Sequence, residues 1–339
     1  MSKGIYGLKN RGNTCYLNTS IQCLSNIQPL TEYFLNNNHL TDLNNRYCEL
    51  KGKNMNEIIL TKEYSKLIKM LWNVNSSIDP KTFHELLQKY DERFLGYDQQ
   101  DAQESLSLML DYLHEGLKYD VEINYSGIVE NQYDKITVES IKNWSKDLQN
   151  KYSIIADLFF GQYVNKVISL ENNNVVSKKF EMFNILSIPI YGKTLYDSMS
   201  KYFEKEILES EYLDEKTNKY IKAYRQIRLM RVPKFLIIVL KRYNNNLVKS
   251  HSILTFPFDD LDLTCYSEGY DNIDCELKLV CICCHKGGLN GGHYFGVCKN
   301  IDGKWYKYDD DDVYEYNIEK NKNELFKDGY ILIYQKINI

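Results

Sequence analysis

The spacing of apolar residues predicts a short helix near the start of the chain. The helix is expected to begin at or beside Cys15, where Asn13 or Thr14 can cap it, and Pro29 marks its exit. Its apolar face, with residues three and four apart, is formed by Leu17, Ile21 and Leu24. This pattern places a cysteine at the first turn of a helix.

A second helix is predicted over residues 101–117, where the same periodicity is stronger. Asp101 and Glu104 fall in its first turn, where the helix dipole favours acidic side chains. One face carries the apolar residues Ala102, Leu106, Met109, Leu110, Leu113 and Leu117. The material between the two helices is mostly helical and polar, so the first third of the chain is expected to be a helical layer.

After about residue 154 the pattern changes to β-branched and aromatic runs, which predict the strands of a sheet. These runs occupy residues 235–243, 276–284, 293–299, 304–308 and 330–336. Helices followed by strands, with no Pro/Gly/Ser-rich linker between them, favour an α+β fold without a clean cut between independent domains.

Composition and charge exclude several classes of protein. The chain has 339 residues, of which 43% are hydrophobic and 26% charged, with a formal net charge of −4 from 42 basic and 46 acidic residues. Mean hydropathy is −0.48, and no apolar run approaches the roughly 18 to 20 residues that cross a membrane. We therefore expect no membrane association and no nucleic-acid partner, since the broad cationic field for the latter is missing.

The N-terminus lacks the features of a signal or transit peptide, which favours an intracellular protein, cytoplasmic or nuclear. The nine cysteines are an odd number and leave a long cysteine-free middle, which is typical of reduced thiols rather than a disulfide framework.

Cys15 is a candidate nucleophile. At the first turn of a helix the unpaired backbone amides create a partial positive field, which favours the reactive thiolate. Gly12 allows a tight turn before the helix, so that amides can also face an oxyanion. The alternative is a buried structural cysteine, and this segment alone does not decide between them.

A predicted hairpin supplies the partners of the thiol. Strand 293–299, a four-residue turn at 300–303 and a strand from residue 304 would place Asp310 opposite His293, or Asp309 after a slip of one residue. A carboxylate beside an imidazole can orient it as a general base. Alternatively, His293 is an exposed side chain and the acidic run only solubilises the hairpin.

Longer motifs resemble the ubiquitin-specific proteases, the papain-like deubiquitinating cysteine peptidases. GLKNRGNTCYLNTSIQCLSNIQPL resembles their cysteine box, and CCHKGGLNGGHYFGVCKNIDGKWYKYDDDDV resembles their histidine box. Between them YDQQDAQESLSLMLDYLHEGL, FFGQY, RVPKFLIIVLKRY and FPFDDLDL occur in the family's order. The resemblance runs from Gly7 to about Tyr334.

The resemblance implies a hand-shaped α+β catalytic domain of the papain-like cysteine peptidase fold. The whole chain, 1–339, would be one domain, with a helical thumb at about 1–153, fingers with palm strands at 154–240 and a β-sheet palm at 241–339. Its implied activity is thiol-dependent hydrolysis of the isopeptide or peptide bond after the C-terminal glycine of ubiquitin, with no cofactor.

The same resemblance assigns roles to residues. Cys15 is the implied nucleophile, His293 the general base, Asp309 the orienting acid and Asn10 the side chain that helps hold the oxyanion, with Asp310 as the alternative acid. The implied contacts to ubiquitin are Gln100, Asp101, Glu104, Gly291, Gly292 and Tyr294.

Structural zinc is not expected, although many family members bind it in the fingers through two Cys-x-x-Cys pairs. The matching stretches here, GQYVNKVISLENNN and NKYIKAYRQIRLMR, contain no cysteine. Cys281, Cys283, Cys284 and His285 are adjacent on a predicted strand, whose alternation sends neighbours to opposite faces. Two alternative functions remain, a protease for another ubiquitin-like modifier and a ubiquitin-binding pseudoenzyme.

Overall fold

The computed structural model describes residues 4–50, 55–96, 98–243, 248–270, 275–288 and 291–337. The helices are α1 (Cys15–Ser25), α2 (Gln28–Leu35), α3 (His39–Leu50), α4 (Asn56–Asn73), α5 (Lys81–Tyr90), α6 (Ala102–Leu117), α7 (Gln132–Leu148), α8 (Ile154–Phe159), α9 (Leu195–Tyr202) and α10 (Lys322–Asp328). Short 3-10 helices occupy Glu92–Phe94 and Thr264–Tyr266. No helix in the described ranges is both long enough and apolar enough to cross a membrane.

The strands follow α8, as the change of pattern after residue 154 predicts. They are β1 (Gly161–Ser169), β2 (Val175–Phe183), β3 (Ile185–Pro189), β4 (Glu206–Ile207), β5 (Tyr212–Asp214), β6 (Lys219–Ile221), β7 (Ala223–Arg231), β8 (Phe235–Lys241), β9 (Leu261–Asp262), β10 (Glu276–Gly288), β11 (Gly291–Lys299), β12 (Trp305–Asp309), β13 (Asp312–Glu315) and β14 (Gly329–Lys336). The predicted helices at Cys15 and over 101–117, and the five predicted strands, are confirmed.

The main sheet has the strand order β13-β12-β11-β10-β14-β8-β3, with β9 paired to β10. Every pairing in it is antiparallel except that of β3 with β8. A second sheet has the order β2-β1-β7-β4, and β5 and β6 form a third sheet of two strands. The sheets and the helical layer give the expected α+β fold.

Helix α1 contacts both α6 and the main sheet, and all of its residues are buried. Its apolar side chains join one core that also includes α6 and one face of the main sheet, while a second core covers the other face. The alternation along β10 divides the adjacent cysteines between these cores, because Cys281 and Cys283 belong to the first and Cys284 to the second. These thiols therefore do not converge on one point.

The predicted register of the β11–β12 hairpin is wrong by one residue. Lys299 pairs with Trp305 rather than with Lys304. The cause is the turn, which closes through a hydrogen bond from the Asn300 amide to the Lys304 carbonyl at 2.9 Å, with Gly303 at φ 80°. Pairing of the two strands ends at Gly296, so neither proposed acid lies directly opposite His293 on the ladder.

Candidate active site

The N-terminus of α1 presents Cys15, whose exposed fraction is 4%. The turn before it is held by the Asn10 side chain, whose Oδ1 accepts from the amides of Gly12 at 2.9 Å and Thr14 at 3.2 Å. Gly12 adopts φ 96°, a conformation that glycine reaches without steric cost. Thr14 is the N-cap residue, but its hydroxyl accepts from the Arg11 amide instead of capping the helix.

His293 on β11 joins the thiol to a carboxylate at the end of β12. Its Nε2 is 2.5 Å from Asp309 Oδ1, and Cys15 is its second hydrogen-bond partner. The second oxygen of Asp309 accepts from Lys307 Nζ at 2.8 Å. The carboxylate is thus held on both oxygens, which fixes the plane of the imidazole.

The electrostatics of this group favour a charged imidazole. The hydrogen bond to Asp309, with a further contribution from Cys15, raises the pKa of His293 to about 10. The hydrogen bond to His293 lowers the pKa of Asp309 to about 2, against the opposing effect of burial. Between these values the pair is an imidazolium and a carboxylate, the state in which a neighbouring thiolate is stabilised.

Asp310 holds the other side of the site. Its Oδ2 accepts from Asn10 Nδ2 and its Oδ1 from Asn18 Nδ2, each at 2.8 Å, and its carbonyl accepts from the Leu8 amide at 2.8 Å. The residue adopts φ 54°, which turns the chain sharply between β12 and β13. Asp309 therefore orients the imidazole, and Asp310 links the segment before α1 to the main sheet.

Asn10 lies where the sequence predicts it, beside the helix that carries Cys15, but its amide nitrogen is bound to Asp310. Its role toward an oxyanion stays a prediction.

Ligand atoms of His293, Asp309 and Asp310 lie within 4.8 Å of one another, a spacing that could hold a cation. Such an ion would replace the hydrogen bond between His293 and Asp309.

This arrangement brings together a thiol, an imidazole and a carboxylate, in that order along the chain, the three groups that the sequence predicts as nucleophile, base and orienting acid. The sequence matches the family model described as ubiquitin carboxyl-terminal hydrolase over residues 6–334. The chain belongs to this family.

Curated members of the ubiquitin carboxyl-terminal hydrolase family match almost all of the chain. Human "Ubiquitin carboxyl-terminal hydrolase 2" is 30% identical over 351 residues, which cover 98% of this chain and 55% of the human protein. "Ubiquitin carboxyl-terminal hydrolase Usp2" of Drosophila melanogaster is 30% identical over 344 residues, which cover 99% of this chain and 35% of the fly protein. The chain thus spans about half or less of the length of these relatives.

Solved structures of the SAGA DUB module, which contains Ubp8, share the fold. One module bound to monoubiquitin matches with a TM-score of 0.76 at 22% identity, covering 100% of this chain and 70% of that chain. Another, bound to ubiquitin aldehyde, matches with a TM-score of 0.74 at 22% identity and the same coverage. The likeness confirms the expected fold class of this family member.

The acids expected to contact ubiquitin differ in their surroundings. Asp101 caps α6 by accepting from the Gln103 amide at 2.6 Å, and it accepts from the Tyr330 hydroxyl at 2.7 and 2.9 Å. Burial raises the pKa of Asp101, against these hydrogen bonds. Glu104 is exposed. Contact of either acid with a ligand stays a prediction, and the structure gives Asp101 a clear role as a helix cap.

The remaining expected contacts lie on two segments, the one just before α6 and the start of β11, which Gln99 joins by hydrogen bonds. Gln100 is half-buried just before α6, and Gly291 and Gly292 begin β11 beside His293. Tyr294 is buried and stacks on the His285 ring, with centroids 4.2 Å apart. A Tyr294 side chain packed in this way has little surface left for a protein partner.

Three side chains that contact the site residues were not predicted from the sequence. Lys307 shares a face with Asp309 by strand alternation, which is a signal that could have been read. Asn18 lies one turn after Cys15 and is a polar residue inside a buried helix. Gln99 forms hydrogen bonds with the backbone of Gly292, which is 193 residues away in the sequence. No local sequence pattern predicts this contact.

Proposed function

We propose that this protein is a deubiquitinase, which hydrolyses the isopeptide or peptide bond after the C-terminal glycine of ubiquitin. The observation that carries the proposal is the Cys15–His293–Asp309 group, in a chain that matches the family over residues 6–334. All three reacting groups are intact, which favours an enzyme over a ubiquitin-binding pseudoenzyme.

The proposed reaction begins when the proton of the Cys15 thiol passes to His293, which leaves the sulfur as a nucleophile beside an imidazolium. The sulfur attacks the carbonyl carbon of the terminal glycine, and the negative charge develops on the carbonyl oxygen. Amides at the start of α1 and the Asn10 side chain are the proposed donors to that oxygen. Asn10 must then share its amide nitrogen with Asp310 or release it.

Collapse of the intermediate transfers the proton from His293 to the leaving amine and leaves a thioester on Cys15. Water then attacks the thioester carbonyl, with His293 accepting a proton from the water. Sulfur leaves as thiolate, and the ubiquitin carboxylate is released. Throughout these steps Asp309 keeps the imidazole in the orientation that directs Nδ1 to the sulfur.

Ubiquitin and ubiquitinated proteins are the proposed partners, and neither a structural zinc ion nor any cofactor is part of the proposal. In the sheet that contains β1 and β7, Phe180 packs against a small apolar core of Ile136, Val164 and Met230. We propose that this packing stabilises the fingers in place of a metal. The nine cysteines are free, which fits an intracellular, reducing environment.

The test uses full-length ubiquitin and a ubiquitin-like modifier, each carrying a C-terminal electrophile, at equal concentrations. We expect covalent attachment of ubiquitin to the wild-type protein and none to the Cys15→Ala variant. Preferential attachment of the ubiquitin-like modifier would establish the second candidate function. Absence of attachment with either protein, while a small thiol reagent still modifies Cys15, would contradict the proposal.

A further inference from the structure

The side-chain amide of Gln99 forms two hydrogen bonds with the backbone of the residue before the general base. Gln99 Nε2 donates to the Gly292 carbonyl at 2.9 Å, and the Gly292 amide donates to Gln99 Oε1 at 3.0 Å. A primary amide offers a donor and an acceptor side by side, as the backbone of a neighbouring strand would. Gln99 therefore takes the place of a strand at this point.

The outer edge of β11 is only partly paired with β12, so the Gln99 side chain can bind the unpaired part. β12 pairs with β11 only from Gly296 to Lys299. In the described part of the chain, no strand lies beside the outer edge of residues 291–295, although His293 is among them. The strand also begins with two glycines, which lose more backbone freedom on ordering than other residues. Without a partner on this edge, the backbone next to His293 is weakly held.

Contacts can fix residue 292 only through its backbone groups, because the position has no space for a side chain. A Cβ there would lie 2.1 Å from His285 Nε2 and 2.9 Å from the Lys286 carbonyl oxygen. The amide and carbonyl of Gly292 are consequently the points at which a contact can fix this residue, and Gln99 binds both.

Gln99 itself belongs to a segment fixed to the nucleophile's helix. Asp101, two residues later, caps α6 and accepts hydrogen bonds from Tyr330 on β14. The carbonyl of Ala102 accepts from Ser20 Oγ on α1 at 3.3 Å. A continuous set of contacts thus runs from the helix that carries Cys15, through Gln99, to the residue adjoining His293.

We propose that Gln99 is a positioning residue for His293, one that sets the distance and angle between the imidazole and the Cys15 thiol. This proposal rests on the proposed function. It assigns Gln99 no contact with the reacting atoms. Its effect is to hold the backbone of β11 so that Nδ1 faces the sulfur, and small errors in such alignment reduce turnover strongly.

The first test compares Gln99→Leu with Gln88→Leu. Gln88 is a matched control, since its Nε2 donates to the Gly96 carbonyl at 2.8 Å elsewhere in the helical layer. With a ubiquitin substrate that releases a fluorescent amine, we expect Gln99→Leu to lower kcat about tenfold and to leave KM within about twofold. Gln88→Leu should change neither value.

The second test uses Gln99→Glu and measures kcat relative to wild type as a function of pH. The ionised carboxylate keeps the acceptor for the Gly292 amide but opposes the Gly292 carbonyl oxygen. When protonated it can donate again, so the ratio should rise toward about pH 5. This recovery would not occur if Gln99 only stabilised the fold.

Three results would overturn the proposal. A higher KM with unchanged kcat would mean that Gln99 binds substrate. A higher kcat/KM would mean that its contact with Gly292 obstructs the access of substrate. A pH-independent ratio for Gln99→Glu would exclude the hydrogen bonds as the cause. If the wild-type enzyme does not hydrolyse ubiquitin substrates, the proposed function fails separately, and the rate of Cys15 alkylation by iodoacetamide in the same variants still tests the positioning role.

Discussion

Replacement of Asp309 by asparagine should reduce turnover far more than the same replacement at Asp310. Asp309 Oδ2 is bound to Lys307 Nζ at 2.8 Å, so the amide oxygen of the variant is expected to stay with Lys307. The NH₂ group must then face His293 Nε2 and donate to it. The imidazole would carry its proton on Nδ1, where it can no longer accept one from Cys15.

The size of the loss follows from two effects. The hydrogen bond to Asp309 is the largest cause that raises the pKa of His293 from 6.5 to about 10. If that pKa returns toward 6.5, only about a tenth of the imidazole is protonated at about pH 7.5. The population of the Cys15–His293 ion pair then falls about tenfold. The wrong tautomer lowers kcat by up to about ten-thousandfold in enzymes with such a triad, so kcat should fall by at least about a thousandfold in total.

Asp310→Asn perturbs a different set of contacts. Both Asp310 oxygens accept from amide nitrogens, those of Asn10 and Asn18, and an asparagine side chain can accept on only one. Asparagine tolerates the φ of 54° at this position. We expect a loss of about 1–3 kcal/mol in the free energy of unfolding and less than about a tenfold loss of kcat.

The assay measures kcat and KM for a fluorogenic ubiquitin substrate, with the melting temperature of each variant across a pH series. Since the folded-state pKa of Asp309 is lowered and that of His293 raised, their pairing stabilises wild type fully between about pH 4 and 6.5. The difference in melting temperature between wild type and Asp309→Asn should decline as the pH rises from about 6.5 to 10, and also as it falls from about 4 to 2. A variant at Asp309 that keeps more than about a tenth of wild-type kcat, or a greater loss at Asp310, would refute this reasoning.

Three further predictions concern the nucleophile, the acids and the metal. Cys15→Ala should abolish hydrolysis but retain ubiquitin binding, and retained turnover in this variant would exclude Cys15 as the nucleophile. Cys23→Ala should stay active after a modest loss of stability, because Cys23 is a buried core residue. Glu104→Gln should reduce kcat/KM for ubiquitin in a salt-dependent manner, with normal labelling by a small thiol reagent. Asp101→Ala should instead lower the melting temperature, because Asp101 caps α6 and alanine cannot accept from the Gln103 amide. Equal behaviour of the two variants would contradict this division. Elemental analysis should find no stoichiometric zinc in active protein, and a chelator should leave the melting temperature unchanged; one bound zinc per chain with loss of structure on chelation would show that unrecognised ligands hold the fingers.

Local patterns in the sequence predicted the elements that carry the site. The periodicity around Leu17 and Ile21 marked α1, because a buried helix needs one continuous apolar face. The β-branched runs marked the central strands of the main sheet. Both depend on neighbours within a few residues, so a single sequence displays them.

Relations between distant residues were harder to predict. The hairpin register depended on one hydrogen bond in the turn, between Asn300 and Lys304, and an error of one residue there changes the residue opposite His293. Asp309 was identified by family resemblance, while the strand register alone left Asp309 and Asp310 as alternatives. The contact between Gln99 and Gly292 joins segments 193 residues apart, and only the folded chain shows it.

In the proposed reaction, Cys15 forms the covalent intermediate with the C-terminal glycine of ubiquitin. The most direct test of this step is mass spectrometry of the peptide that bears the adduct, after reaction of the wild-type protein with ubiquitin carrying a C-terminal electrophile. We predict a single adduct on the peptide containing Cys15, formed at a rate that falls in parallel with kcat in Asp309→Asn. An adduct on another cysteine, or an undiminished rate in that variant, would contradict the account.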